Sequence, residues 1–374
     1  MHKIGLLKEL KQYEGRVLLT PEGVKVLVKN GIQVFVESEA GKKSNFDDVL
    51  YEKNGATILP TMEKVLQKAS LILQVQPPSP IQYELFNEHH TVLSFQNMQQ
   101  TTDRIKALLE SKAVFFSIEM VQDEESNYPV LMGMSEIAGR MTIHKAAQLL
   151  TITEGGKGKL LSGADIVKPA TVTVIGGGKA GRTAAITAKK IGAHVRLLTL
   201  KESKLQEVKT ELGGIEVEMY SEQRLSDILP DTDVLIVAVY SLRREFDLFI
   251  RKELINLMEP GSVVIDISIE QKDIVETSHL TSHDKPTYIL DGIVHYCVPN
   301  IAAVVPLTAS KILTKKLLPY VKTLALNGLK NALDEEPGLI PALTIYKGKM
   351  TNRYLAEHFG HDFYNIFELL ELNL

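Results

Sequence analysis

Residues 172–181 read VTVIGGGKAG. No other stretch of this chain restricts the fold as tightly. A β-branched run that breaks into glycines and then into helix formers sets strand, tight turn and helix in that order. A strand followed by a helix returns to a parallel neighbour by a right-handed crossover. The reading is a strand over 171–175 and a helix over 180–191. Gly176, Gly178 and Gly181 fit the GxGxxG pattern. With 25 glycines in the chain the pattern alone would arise by chance, so its force comes from standing between strand and helix. Gly176 permits the turn, Gly178 lets a backbone approach a pyrophosphate, and Gly181 lets helix and strand pack closely. The helix start, Lys179-Ala180, would face the phosphates with uncommitted N–H groups. The alternative is a tight structural turn with no ligand.

The same alternation runs through the rest of the chain. After the loop come a strand over 194–198, a helix over 202–212, a weak strand over 215–219, and strands over 234–239 and 262–267. The N-terminal third gives strands over 3–7, 33–36, 57–59, 71–75, 91–95 and 113–116, with helices over 47–54, 61–68 and 101–111 between them. Thr20-Pro21 opens a further helix, Thr20 as N-cap and Pro21 in the first turn, and Gly31 ends it. Residues 76–80, QPPSP, are a loop, because adjacent prolines cannot continue a central strand. Long helical patterns cover about 135–150 and 307–326, and the tail over 338–374 reads as short helices and loops. The expected fold is α/β, with two Rossmann-like doubly wound domains. The nucleotide-binding domain, 135–305, is inserted in a substrate domain made of 1–134 and 306–374, and long helices join them. Ligands of such sheets bind outside the carboxyl ends of the strands.

Composition removes several classes. Forty-two basic against 46 acidic residues leave a net charge of -4, which suggests neither a nucleic-acid partner nor an anionic membrane. The single cysteine, Cys297, excludes an internal disulfide and a CxxC metal site, and a reducing, cytoplasmic location fits. No apolar run approaches the ~18 residues of a membrane helix. The start, MHKIGLLKELK, is too charged for a signal peptide.

About twenty residues beyond the glycine loop, a dinucleotide site ordinarily carries an acidic residue for the ribose hydroxyls. Here the strand ends in Thr199, with Lys201 and Lys204 beyond it and Arg196 upstream. That chemistry is wrong for a ribose diol and tolerable for a 2′-phosphate. Alternatively the lysines form a solvated helix start. The cofactor is NAD or NADP.

With the loop placed, the chain resembles the alanine dehydrogenase and transhydrogenase-domain family over nearly its full length. The opening KIGLLKELKQYEGRVLLTPEGVKVLVKNG, MSEIAGRM (134–141), GGGKAG, DISIEQ (266–271) and YCVPNIAAVVP (296–306) carry the resemblance. The tail YKGKMTNRYLAEHFG (346–360) is closer to alanine dehydrogenases. The resemblance implies that Arg16, in EGRV, pairs with a substrate carboxylate through its planar fork. Glu119 falls where the family carries a glutamate, with a structural role equally open. Ser135 and Asn300 match residues that contact cofactor or substrate, and either could be a cap instead. The resemblance further implies a homo-oligomer and a small amino-acid or 2-oxo-acid substrate.

The departures concern proton transfer. The family's lysine in K-x-K-E-P becomes Gln76, its histidine after the next strand becomes Asn97, and its aspartate becomes Glu270. Glutamine and asparagine hydrogen-bond but cannot exchange a proton near neutral pH. Glu270 is then the remaining titratable candidate, expected to have a raised pKa in a dry site. His89 and His90 precede their strand. His295 could approach the site, although an isolated histidine is more often structural, and Cys297 reads as a core side chain. The reading is an NAD(P)-linked amino-acid dehydrogenase. Its alternatives are an imine-reducing or other amino-acid oxidoreductase of the same family and a nucleotide-binding paralogue without catalysis.

Overall fold

The computed structural model describes residues 3–96, 102–241, 247–271 and 273–372. The chain divides into two compact units: Met1–Gly133 with Ala303–Leu374, and Met134–Ala302. Each is a doubly wound α/β layer structure.

The first unit holds β1 (Ile4–Leu6), β2 (Val34–Glu37), β3 (Thr57–Leu59), β4 (Leu71–Leu73), β5 (Thr91–Ser94) and β6 (Val114–Ser117). The second holds β7 (Thr171–Ile175), β8 (His194–Thr199), β9 (Glu216–Met219), β10 (Val234–Val237), β11 (Val263–Asp266), β12 (Thr287–Leu290) and β13 (Ile293–Tyr296). The chain then returns to the first unit for β14 (Leu343–Tyr346) and β15 (Lys349–Met350). The first sheet runs β15-β14-β6-β5-β4-β1-β2-β3 and the second β12-β13-β11-β10-β7-β8-β9. All pairs are parallel except those of β14 with β6, β14 with β15, and β12 with β13.

Central strands read as unbroken apolar runs because helices cover both faces. Every residue of β4, β6, β10 and β11 is buried. Thr20 caps the helix Pro21–Lys29, accepting from the Gly23 N–H at 3.4 Å, with Pro21 in the first turn. No helix among the described residues is long and apolar enough to cross a membrane.

Four readings are corrected. The helix expected from 135 begins six residues earlier, at Pro129, and runs to Leu149. Proline suits a first turn, and the helix carries Gly133 within it. Ser135 is therefore an interior residue and not a cap. The helix after Pro306 extends to Glu335, but Gly328 has φ 73° and ψ 174°, so the regular helix breaks close to the expected end. The strand over 262–267 is not the last of its sheet: a β12–β13 hairpin follows, turning on Asp291-Gly292, both at positive φ. The tail likewise contains the β14–β15 hairpin, turning on Lys347-Gly348. Asp-Gly between apolar runs is a type I′ turn signal, and it was present in the sequence.

Candidate active site

In the first unit the loops leaving β1, β4, β5 and β6 emerge from neighbouring strands at the carboxyl edge of the sheet. They bring together Glu9, Glu14, Arg16, Gln76, Gln96 and Glu119. Arg16 is 2% exposed. Its Nε donates to Glu14 Oε1 at 2.8 Å and its Nη2 to Glu14 Oε2 at 2.6 Å, a forked ion pair, and its guanidinium lies 5.6 Å from the Phe95 ring centroid. Gln76 Nε2 donates to the same Glu14 Oε2 at 2.6 Å. Gln74 steadies that segment, its Nε2 donating to the Gln76 carbonyl at 2.9 Å and its Oε1 accepting from Gln82. Burial alone would push the Glu14 carboxyl up. The hydrogen bonds and charge of Arg16, with Gln76, hold it below the usual carboxylate range.

Glu9 is the residue that sequence reading missed. Its Oε1 accepts the Val75 N–H at 2.5 Å and its Oε2 the Gln76 N–H at 3.1 Å. It thereby fixes the segment that presents Gln76. Burial, reinforced by the charge of Glu14, pushes this carboxyl up to about 8, against the pull of the two amides and Arg16. A cavity of about 370 Å³ lies here, lined by Glu9, Gln74, Gln76, Gln82 and Arg104 among others. Glu119 is buried and accepts the Gln96 N–H with both oxygens, at 3.1 and 3.3 Å. That contact positions the segment leading to Asn97. Asn97 itself lies outside the described residues.

In the second unit the glycine loop behaves as its spacing demands. Gly176 has φ +117°, and a Cβ there would stand 2.3 Å from the Ala238 carbonyl oxygen. A Cβ on Gly181 would stand 1.9 Å from the Gly176 oxygen, so neither position accepts a side chain. Gly178 is different: nothing lies within 4 Å of its missing Cβ. It caps the helix Lys179–Ile191 without a side-chain hydrogen bond, so no capping side chain occupies the first-turn N–H groups. Lys179 is exposed and Ala180 half-buried in that turn. A cavity of about 550 Å³ joins Gly176 and Gly178 to Thr199, Lys201, Tyr220 and Ala238. An open cradle at a bare helix start suits the pyrophosphate of a nicotinamide dinucleotide.

Ser135 is half-buried inside its helix. Asn300 is half-buried at φ 56°, just beyond the end of β13. Glu270 is exposed on the short turn Ile269–Gln271. Asp266, four residues earlier at the end of β11, is the buried carboxyl, pushed up to about 6 by burial. His295 is in the core on β13: Nε2 meets Thr277 Oγ1 at 2.9 Å, Nδ1 meets the Ile293 oxygen at 3.1 Å, and the ring stacks on Tyr288. His90 is bound in the same structural manner by Asn87 and Leu66. Cys297 is buried, its thiol pushed up to about 11 by burial. Among the described residues no group of His, Cys, Asp and Glu could hold a metal.

Comparison with known proteins agrees with this layout. The family model described as "Alanine dehydrogenase/PNT, N-terminal domain" matches residues 5–138, and "Alanine dehydrogenase/PNT, C-terminal domain" matches 142–353. The chain is 36% identical over 372 residues to "Alanine dehydrogenase 2" of Staphylococcus aureus (strain USA300), covering 99% of this chain and 100% of that protein. Among solved structures it is similar to an L-alanine dehydrogenase at a TM-score of 0.91 and 32% identity, covering 96% of this chain and 99% of that one. A transhydrogenase from Sinorhizobium meliloti shares the fold at a TM-score of 0.79 and 22% identity, over 94% and 99% of the two chains.

Proposed function

The chain belongs to the alanine dehydrogenase/PNT family, and from that membership we propose that it is an NAD(P)-linked oxidoreductase acting on a small amino acid or on the imine and 2-oxo acid related to it. The observation that carries this reading is the Glu14–Arg16–Gln76 cluster at the carboxyl edge of the first sheet. Arg16, oriented by Glu14, holds a substrate carboxylate by charge-assisted hydrogen bonds. The second N–H of the Gln76 carboxamide is a donor for a substrate oxygen. The nicotinamide group, when bound, supplies the hydride acceptor or donor. The backbone amides after Gly178 hold the pyrophosphate, and the glycine loop keeps that helix start bare.

Neither Arg16 nor Gln76 moves a proton near neutral pH. Glu9 does: a carboxyl with a pKa of about 8 carries its proton at neutral pH and can release it. One carboxyl in place of an ionisable pair favours a second reading, the reduction of a preformed imine. That reaction needs less proton traffic than oxidation of an amino acid through a hydrated intermediate.

A spectrophotometric assay decides the matter. Full-length protein is given NADH or NADPH with a panel of 2-oxo acids and either ammonia or primary amines, then the reverse reaction with amino acids. Turnover of at least one pair is expected. Dinucleotide binding with no turnover across the panel overturns the proposal in favour of a binding paralogue.

A further inference from the structure

We propose that the dinucleotide site takes NADP(H) in preference to NAD(H), its 2′-phosphate held by Thr199, Lys201 and Lys204. The inference rests on the dinucleotide reading of the glycine loop and adds which dinucleotide that loop serves.

The end of the second strand of such a domain meets the adenosine ribose. That strand is β8, and its last residue is Thr199, 2% exposed. It sits directly beneath the loop: a Cβ on Gly177 would come within 3.0 Å of Thr199 Oγ1. A carboxylate here would bind the two ribose hydroxyls and repel a phosphate. The Thr199 hydroxyl instead accepts the Lys201 backbone N–H at 3.4 Å. Its own hydrogen is committed to no acceptor among the described residues, so it is available for a phosphate oxygen.

Two cations share the cavity with it. The helix Glu202–Glu211 begins at Lys201, which provides no side-chain cap. Its orientation is set by Arg182, whose Nε donates to the Gly177 carbonyl at 2.7 Å while Nη1 pairs with Glu207 at 2.7 Å and with Glu211. Lys204, Glu207 and Glu211 lie at i, i+3 and i+7, on one helix face. Arg182 anchors the lower turns of that face to the loop, and Lys204 is carried one turn higher, to the cavity wall. Neither Lys201 nor Lys204 makes a salt bridge among the described residues, although the charge of Lys204 acts on Glu207 one turn along the helix. The one acidic side chain in the described lining, Asp247, belongs to the chain beyond β10 and not to the end of β8. Two cations and a donor hydroxyl make an anion site where a diol site would need a carboxylate.

Isothermal titration of the full chain tests this, first with 2′,5′-ADP and 5′-AMP, then with NADPH and NADH, all at one fixed salt concentration. We expect 2′,5′-ADP to bind at least about tenfold more tightly than 5′-AMP, with NADPH ahead of NADH in the same sense. The advantage should shrink with added salt and largely vanish in a Lys201→Ala/Lys204→Ala double variant. Thr199→Asp should reverse the order. NADH binding more tightly than NADPH overturns the inference and leaves the dinucleotide reading standing. No binding of either dinucleotide overturns both. A preference for the phosphate that survives loss of both lysines overturns their assignment.

Discussion

Gln76 Nε2 and Arg16 Nη2 each donate to the same atom, Glu14 Oε2, both at 2.6 Å. One carboxylate oxygen thus couples the residue that would hold a substrate carboxylate to the carboxamide beside it. The amide adds no charge to the cluster, so Glu14 and Arg16 neutralise one another and Glu9 is left to hold its proton.

That arrangement makes Arg16 a stability residue as well as a binding one. Arg16→Ala leaves the Glu14 carboxylate buried without its partner, a loss of about 3–5 kcal/mol. Urea denaturation should show it, and Arg16→Met with Glu14→Leu should recover most of the deficit. If Arg16→Ala is as stable as the wild type, the forked pair does not form in solution. Calorimetry on the same variant should show amino-acid or oxo-acid affinity falling far more than dinucleotide affinity.

The raised Glu9 carboxyl gives a pH dependence of defined sign. In the unfolded chain it ionises at its ordinary value, near 4.5, and in the folded protein only near 8. Between these the unfolded state releases a proton that the native state keeps, so stability falls as pH rises from about 4.5 to 8 and then levels. A partly buried group of this kind contributes on the order of 2 kcal/mol across that window. Glu9→Gln should flatten the slope measured by chemical denaturation. An unchanged slope would remove Glu9 as the titrating group.

Placing an ionisable pair at positions 76 and 97 should change the chemistry. Gln76→Lys with Asn97→His is expected to raise oxidative turnover of L-alanine by roughly 10²–10⁴-fold, while either change alone does little. The kinetic assay is decisive, because rapid alanine oxidation by the wild type would mean that other groups already do this work.

The three glycines of the loop should separate by phenotype. Gly176→Ala and Gly181→Ala meet backbone oxygens at 2.3 and 1.9 Å and should lower the melting temperature markedly. Gly178→Ala points into open space, so the fold should keep its melting temperature while dinucleotide affinity drops at least about tenfold, through crowding of the cradle. Equal melting temperatures for all three variants would contradict the close packing.

The doubly wound architecture was legible because its signals are local. Short β-branched apolar runs gave β4, β7, β10 and β11, and the GxGxxG spacing placed the cradle. The two hairpins turn on Asp291-Gly292 and Lys347-Gly348, and such tight antiparallel returns at a sheet edge stand outside the strand–helix alternation that marks the rest of the chain. Glu9 could not be singled out from sequence. Its importance comes from amides 66 and 67 residues away at Val75 and Gln76, a contact that no local pattern encodes. The burial of Asp266 at the end of β11, which raises its carboxyl, is likewise a property of the packed sheet and not of a local pattern.

The insertion of one unit within the other also sets an order of assembly on the ribosome. The second unit is continuous in the chain, so it can close its sheet as soon as it is made. The first cannot. The open edge of β6, with Phe115 and Phe116 in it, waits for β14, and the Thr344 hydroxyl that bonds the Phe115 carbonyl lies 229 residues downstream. Throughout that interval an apolar strand edge stands unpaired, the kind of surface that recruits other nascent chains. Truncation before β14 should therefore produce aggregation, even though every residue of the glycine loop and of the Glu14–Arg16 pair would be present.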